Sequence, residues 1–199
     1  MGLFTGLQRM LDATRALDFL APLAIRLYLA PMFWIAGTHK LADMTATIAR
    51  IGGTGLPYSE YLAWATAITE IGGAVLLLVG LGVRWVSIPL MAVMATAAVT
   101  EHLQNGWLRI ADATGLFATD RTRGAIERLD QAKQILQAHG DYAWLTANGK
   151  FVVLNNGIEL SVTYFILLLV LFFFGAGRFF SVDYWTRRAT MPYDERYAV

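Results

Sequence analysis

The chain has 199 residues, of which 56% are hydrophobic and 16% charged, with a formal net charge of +1 and no cysteine. Soluble domains carry about a quarter charged residues, and here the charges fall between long apolar runs, so the composition is that of a membrane protein. No concentrated basic surface for nucleic acid is implied. The missing cysteines exclude disulfides, thiolate metal sites and a Cys-x-x-Cys redox centre, so any electron transfer needs a bound cofactor or a partner.

Residues 1–18 lack the basic start, short apolar core and small-residue site of a cleaved signal, and Gly6 stands where myristoylation needs Ser or Thr. Leu3, Phe4, Leu7, Met10, Leu11 and Leu17 fall at helical spacing, with Gln8, Arg9, Asp12 and Arg15 opposite. That pattern predicts an amphipathic helix lying in the membrane interface. A first span follows over residues 19–38, carrying Pro22, Arg26 and Pro31, with His39 and Lys40 at its far end. The glycine-rich 41–58 stretch reads as a connection, and Ser59 as the N-cap of a second span over 60–81. Gly82-Val83-Arg84 reads as a tight turn into a third span over 85–102.

Residues 103–150 form a polar insertion in which Ile126, Leu129, Ile135 and Leu136 predict a surface helix over 121–138. A Leu- and Phe-rich fourth span covers 157–175, and Ser181 is placed to cap a short interfacial helix. Each span approaches the ~20 residues a bilayer requires. The expected fold is therefore all-α: an integral membrane four-helix bundle, one domain over 1–199, with an interfacial N-terminal helix and a helical insertion between spans three and four. Four spans place both termini on one side. Arg9, Arg15, Arg84, Arg178, Arg187, Arg188 and Arg196 crowd that side in short segments, so charge density predicts cytoplasmic termini.

Glu70 lies near the middle of the second span, where a lone carboxylate costs roughly 2.5 kcal/mol or more. Arg26, about two turns into the first span, is the expected partner through a two-bond guanidinium–carboxylate pair. Such a pair either fixes how the two helices dock or lets one member touch a polar ligand, such as a quinone headgroup or an anion.

A second polar group collects at the non-cytoplasmic face: His39 and Lys40 from span one, Glu101 and His102 from span three, Asn155, Asn156 and Glu159 from span four. Two imidazoles near a carboxylate could bind a metal, or haem iron through His39 and His102, although no tight ligand motif is present. His102 beside Glu101 could exchange protons near neutral pH. Each residue also has a structural reading: Asn156 with Glu159 matches a capping box, and His39 and Lys40 suit a helix C-terminus.

The stretches Arg26-Leu-Tyr-Leu-Ala-Pro through Gly37-Thr-His39-Lys40, Glu70-Ile-Gly72-Gly73 through Gly80-Leu-Gly-Val-Arg84, Asn155-Asn156-Gly157-Ile-Glu159 and Gly175-Ala-Gly177-Arg178 through Asp183 resemble the DoxX family of small bacterial membrane proteins. The resemblance implies a four-helix bundle of the bacterial inner membrane associated with redox systems. A related branch resembles the DoxD membrane subunit of thiosulfate:quinone oxidoreductase. The function expected on this basis is a quinone-linked membrane subunit of a redox complex. His102 and Glu101 would be catalytic, and Arg26, His39, Lys40, Glu70, Asn155, Asn156 and Glu159 would bind quinone. The insertion at 103–150 departs from the plainest members and is the expected docking surface for a redox partner, and a homo-oligomer is compatible with the fold. A small-solute or ion transporter, or a silent anchor for a soluble oxidoreductase, is the alternative.

Overall fold

The computed structural model describes residues 2–190, so Arg196 lies outside the described residues. The fold is helical, and among the described residues the only strand-like pairing is an isolated antiparallel bridge between Ile110 and Leu154. The chain divides into two compact units, one of Met1–Val93 with Tyr164–Val199 and one of Met94–Thr163.

In the first unit, α1 (Gly2–Ala13) continues as a 3-10 turn over Thr14–Leu17. Phe4, Met10 and Leu11 stand exposed along α1, as an interfacial helix requires. The first span is α2, Leu20–Ala42, which passes through Pro31 and keeps His39 and Lys40 inside its last turn. The expected connection after it contains a helix, α3 (Met44–Gly53). Asp43 starts α3 by accepting a hydrogen bond from the Ala46 amide, which satisfies one of the free N–H groups of a helix start. The second span is α4, Ser59–Val79. Its N-cap is Tyr58, in the left-handed region at φ 59°, and not Ser59, which is already helical.

Gly80 ends α4 at φ 72°, with the Gly80 and Leu81 amides both donating to the Leu76 carbonyl, a left-handed stop that a glycine adopts without steric cost. Small residues set how α2 and α4 pack. Gly37 faces Ala67 and Ile71 so closely that an added Cβ would fall 2.6 Å from Ile71 Cγ1, and Ala30, Ala63, Ala67 and Ala74 are buried nearby.

The third span begins as α5 (Val83–Ala97) and runs through a π-helical turn, Ala98–His102, and a 3-10 turn, Leu103–Asn105. Leu90 of α5 fills the space against Gly73. Asp183 caps the start of α5 by accepting from the Gly82 and Val83 amides at 2.7 and 3.0 Å.

In the second unit, α6 (Asp120–His139) starts with a capping box between Thr119 and Thr122, and a single turn, α7 (Tyr142–Leu145), follows. Asp112 accepts from the amide and hydroxyl of Thr114, and these bonds hold its carboxyl below the usual carboxylate range.

The fourth apolar helix is α8, Glu159–Phe174, and α9 (Val182–Thr190) follows with Ser181 accepting from the Tyr184 amide as expected. Among the described residues, three helices are long and apolar enough to cross a membrane: Leu20–Ala42, Ser59–Val79 and Val83–Asn105. α8 has 16 residues, about 24 Å of helix, and is shorter than the span expected over 157–175.

Candidate functional site

The expected Arg26–Glu70 pair does not form. Both side chains are buried, each in a residue 1% exposed, but they are satisfied separately. Arg26 Nε donates to the Leu77 carbonyl and Nη2 to that of Leu78, while Nη1 donates to Ala176 and Phe180, at 2.7 to 3.1 Å. Leu77 and Leu78 belong to the last turn of α4, whose carbonyls have no intrahelical partners. Ala176 lies just beyond the end of α8. The guanidinium thus closes two helix ends, where the helix dipole favours a cation.

The reason is register. Gly37 lies against Ala67 and Ile71, so Arg26, about three turns earlier in an antiparallel helix, stands opposite the end of α4. Glu70, level with Gly37, is about three turns away, on the order of 15 Å.

Glu70 pairs instead with Lys40. The lysine stem runs from the last turn of α2 back toward Glu70, and its side chain keeps 18% exposure against 1% for the glutamate. The exposed part of Lys40 faces a cleft of about 370 Å³ lined by Ala36, His39, Lys40, Asp43, Thr47 and Arg50, among others. Thr47 is tied down by donating to the Asp43 carbonyl at 2.9 Å. The cleft therefore offers donors at Lys40 and His39 and an acceptor at Asp43, above a carboxylate that has left water. Asp43, Thr47 and Arg50 were not singled out from the sequence, because the α3 segment carrying them read as a connection.

The second unit gathers Glu101, His102, Asn155, Asn156 and Glu159. His102 Nδ1 lies 3.0 Å from the Asn156 carbonyl oxygen. A carbonyl only accepts, so Nδ1 carries the proton and Nε2 bears the lone pair in the neutral ring. Asn155 is a structural brace: its amide donates to the Asn105 and Leu108 carbonyls at 2.7 Å, and its oxygen accepts from Arg121 Nε. Glu159 accepts from the Arg109 amide, and Asn156 sits at φ 58°. The expected capping box between Asn156 and Glu159 is therefore replaced by bonds from both residues to the loop 105–109. Among the described residues, no group of three or more His, Cys, Asp or Glu side chains is placed to hold a metal ion.

The model of the DoxX family matches residues 21–103, the stretch that carries Arg26, the Lys40–Glu70 pair and His102. Over that stretch the chain is similar to the DoxX family. Neither a curated protein nor a solved structure matches it. Within the DoxX segment, the two buried ionic residues of α2 and α4 have separate tasks: Arg26 closes helix ends, and Glu70 holds the lysine that borders the cleft.

Proposed function

We propose that this DoxX protein is a quinone-linked membrane subunit of a redox complex, a single four-span domain in the bacterial inner membrane with both termini cytoplasmic. The observation that carries the reading is Lys40, whose ammonium is shared between the buried Glu70 and an open cleft at the end of a span. A quinone headgroup needs donors for its two oxygens, and the reduced form needs acceptors. Lys40 and His39 supply the first, and Asp43 the second. A cleft of about 370 Å³ lies within the ordinary range for small-molecule sites, roughly 300–1,000 Å³.

In this role Lys40 orients the headgroup, Glu70 fixes the position of Lys40, and Arg26 keeps the helix ends in place. His102, with its Nε2 lone pair and with Glu101 adjacent, is the proton-exchanging group proposed for the second unit. Asn155, Asn156 and Glu159 act as positioning residues there. The polar face of α6 is the surface offered to a soluble redox partner.

The test uses a photoreactive short-chain benzoquinone and the full chain in vesicles. Crosslinks are expected within residues 36–50, and His39→Ala, at an exposed position, should weaken labelling severalfold. Crosslinks confined to other segments would refute the site. Solute or ion flux in proteoliposomes without any redox partner would move the assignment to transport, which a buried ion pair also permits.

A further inference from the structure

The second unit carries apolar side chains that stand open among the described residues. Leu116 is 91% exposed and Leu154 63% exposed, with Ile110 and Val152 also open. Trp107 and Phe117 stack at 5.2 Å beside them. These residues come from two segments, 107–117 and 152–154, that lie side by side. The Ala111 amide donates to the Val153 carbonyl, and the Asn155 and Asn156 amides donate to that of Arg109. Ile110 and Leu154 form the bridge between them.

The level of this ribbon is fixed by the helix it joins. The amides of Gly157, Ile158 and Glu159 donate to the carbonyls of Leu108, Gly106 and Trp107, each at 3.0 Å. The approach is so close that a Cβ at Gly157 would lie 2.5 Å from the Trp107 and Leu108 oxygens. Trp107 therefore stands level with the first turn of α8. That helix, at 16 residues, spans about 24 Å against a hydrocarbon core of ~30 Å. The shortfall of ~6 Å has to be met by apolar surface beyond a helix end or by a thinner bilayer. The ribbon supplies such surface, and the amides of Arg109, Ala111, Asn155 and Asn156 that join its two segments to each other and to α8 are bonded within the protein, as irregular chain at membrane depth requires.

We propose that this ribbon is a membrane-interface plate, with Trp107, Ile110, Leu116, Phe117, Val152 and Leu154 seated in the headgroup and upper acyl region of the lipid leaflet. The occupant of the face is lipid because the ribbon is hydrogen-bonded level with the first turn of an apolar helix that is itself ~6 Å short of the hydrocarbon core. Trp107, which stacks on Phe117, is the kind of side chain expected at that depth. A soluble partner is then left the polar face of α6. The plate stands independently of the quinone reading.

The cysteine-free chain makes the test direct. Leu116→Cys, Leu154→Cys and, as a water-exposed control, Gln134→Cys are each spin-labelled in the full chain. The labelled proteins are reconstituted into vesicles of equal parts phosphatidylcholine and phosphatidylglycerol. Labels at 116 and 154 should collide with oxygen severalfold more often than with a water-soluble nickel chelate, and the ratio should reverse at 134. Preferential collision with the nickel chelate at 116 and 154 overturns the proposal. So does dipolar broadening at those sites that disappears on dilution with unlabelled protein, since a second copy would then cover the face. Leu116 is nearly fully exposed, so its replacement leaves the packing intact.

Discussion

Lys40→Met removes a charge and keeps the length of the side chain, which isolates the ion pair. It removes the lysine from Glu70, which is 1% exposed within an apolar helix. A charge at the centre of a spanning helix costs about 2.5–3.5 kcal/mol on insertion scales, and removing one partner of a buried pair costs about 3–5 kcal/mol. Uptake of a proton by Glu70 sets a ceiling, so a loss of about 3 kcal/mol is expected. Glu70→Gln should cost less, about 1–2 kcal/mol, because the Lys40 side chain already reaches the cleft and its ammonium can turn into water. The double variant Lys40→Met/Glu70→Gln removes both charges of the pair together and should lie within about 1 kcal/mol of the parent. The cycle thus predicts a coupling of about 3 kcal/mol. The assay is equilibrium unfolding of the full chain in mild detergent against increasing SDS, followed by helical circular dichroism. A double variant that costs the sum of the two singles would refute the coupling, and a larger loss for Glu70→Gln than for Lys40→Met would refute the asymmetry.

Arg26→Met strips four carbonyls of their donor and should cost more than about 3 kcal/mol in the same unfolding assay. Arg26→Lys should recover less than half of that, since an ammonium lacks the planar fork. Adding Glu70→Gln to Arg26→Met should not rescue it, because the two residues are not partners. Gly80→Ala places a side chain at φ 72° with its Cβ 2.5 Å from Arg26 Nη2, whereas Gly82→Ala at φ 59° meets nothing within 4 Å. Both carry a left-handed penalty of ~1–2 kcal/mol, and Gly80→Ala should be clearly the worse by SDS midpoint. Asp112 has its carboxyl lowered by Thr114, so its contribution is present above the unfolded pKa and is lost as pH falls through the folded one. A spin label at 116 should become more mobile on acidification through that range, and Asp112→Asn should remove the pH dependence.

Most of the helices are written openly in the chain. The apolar runs mark α2, α4 and the third span, Gly80 marks the end of α4, the spacing of Ile126, Leu129 and Leu136 marks α6, and Ser181 marks the start of α9. The helix α3 stayed hidden because Gly52 and Gly53 read as loop, although Asp43, three residues before Ala46, was a legible N-cap. The four-span count met a fourth helix of 16 residues, since the Asn155-Asn156-Gly157 stretch before it is held as irregular chain by the loop 106–109.

The site was half legible for a more general reason. Charge pairing within lipid narrows the partners of Glu70 to the cations of the neighbouring helix, and the choice between Arg26 and Lys40 then depends on register. Depth counted from helix ends could not supply that register, because it is set by the contact of Gly37 with Ala67 and Ile71. Arg26 poses the harder case, since its partners are backbone oxygens and have no letter in the sequence. They are nonetheless implied wherever a helix stops in apolar surroundings, and two such stops, Gly80-Leu-Gly82 and Gly175-Ala-Gly177, flank this arginine. A buried arginine level with two helix C-termini has unsatisfied carbonyls within reach before any carboxylate is considered, and that leaves Glu70 to the lysine at the cleft.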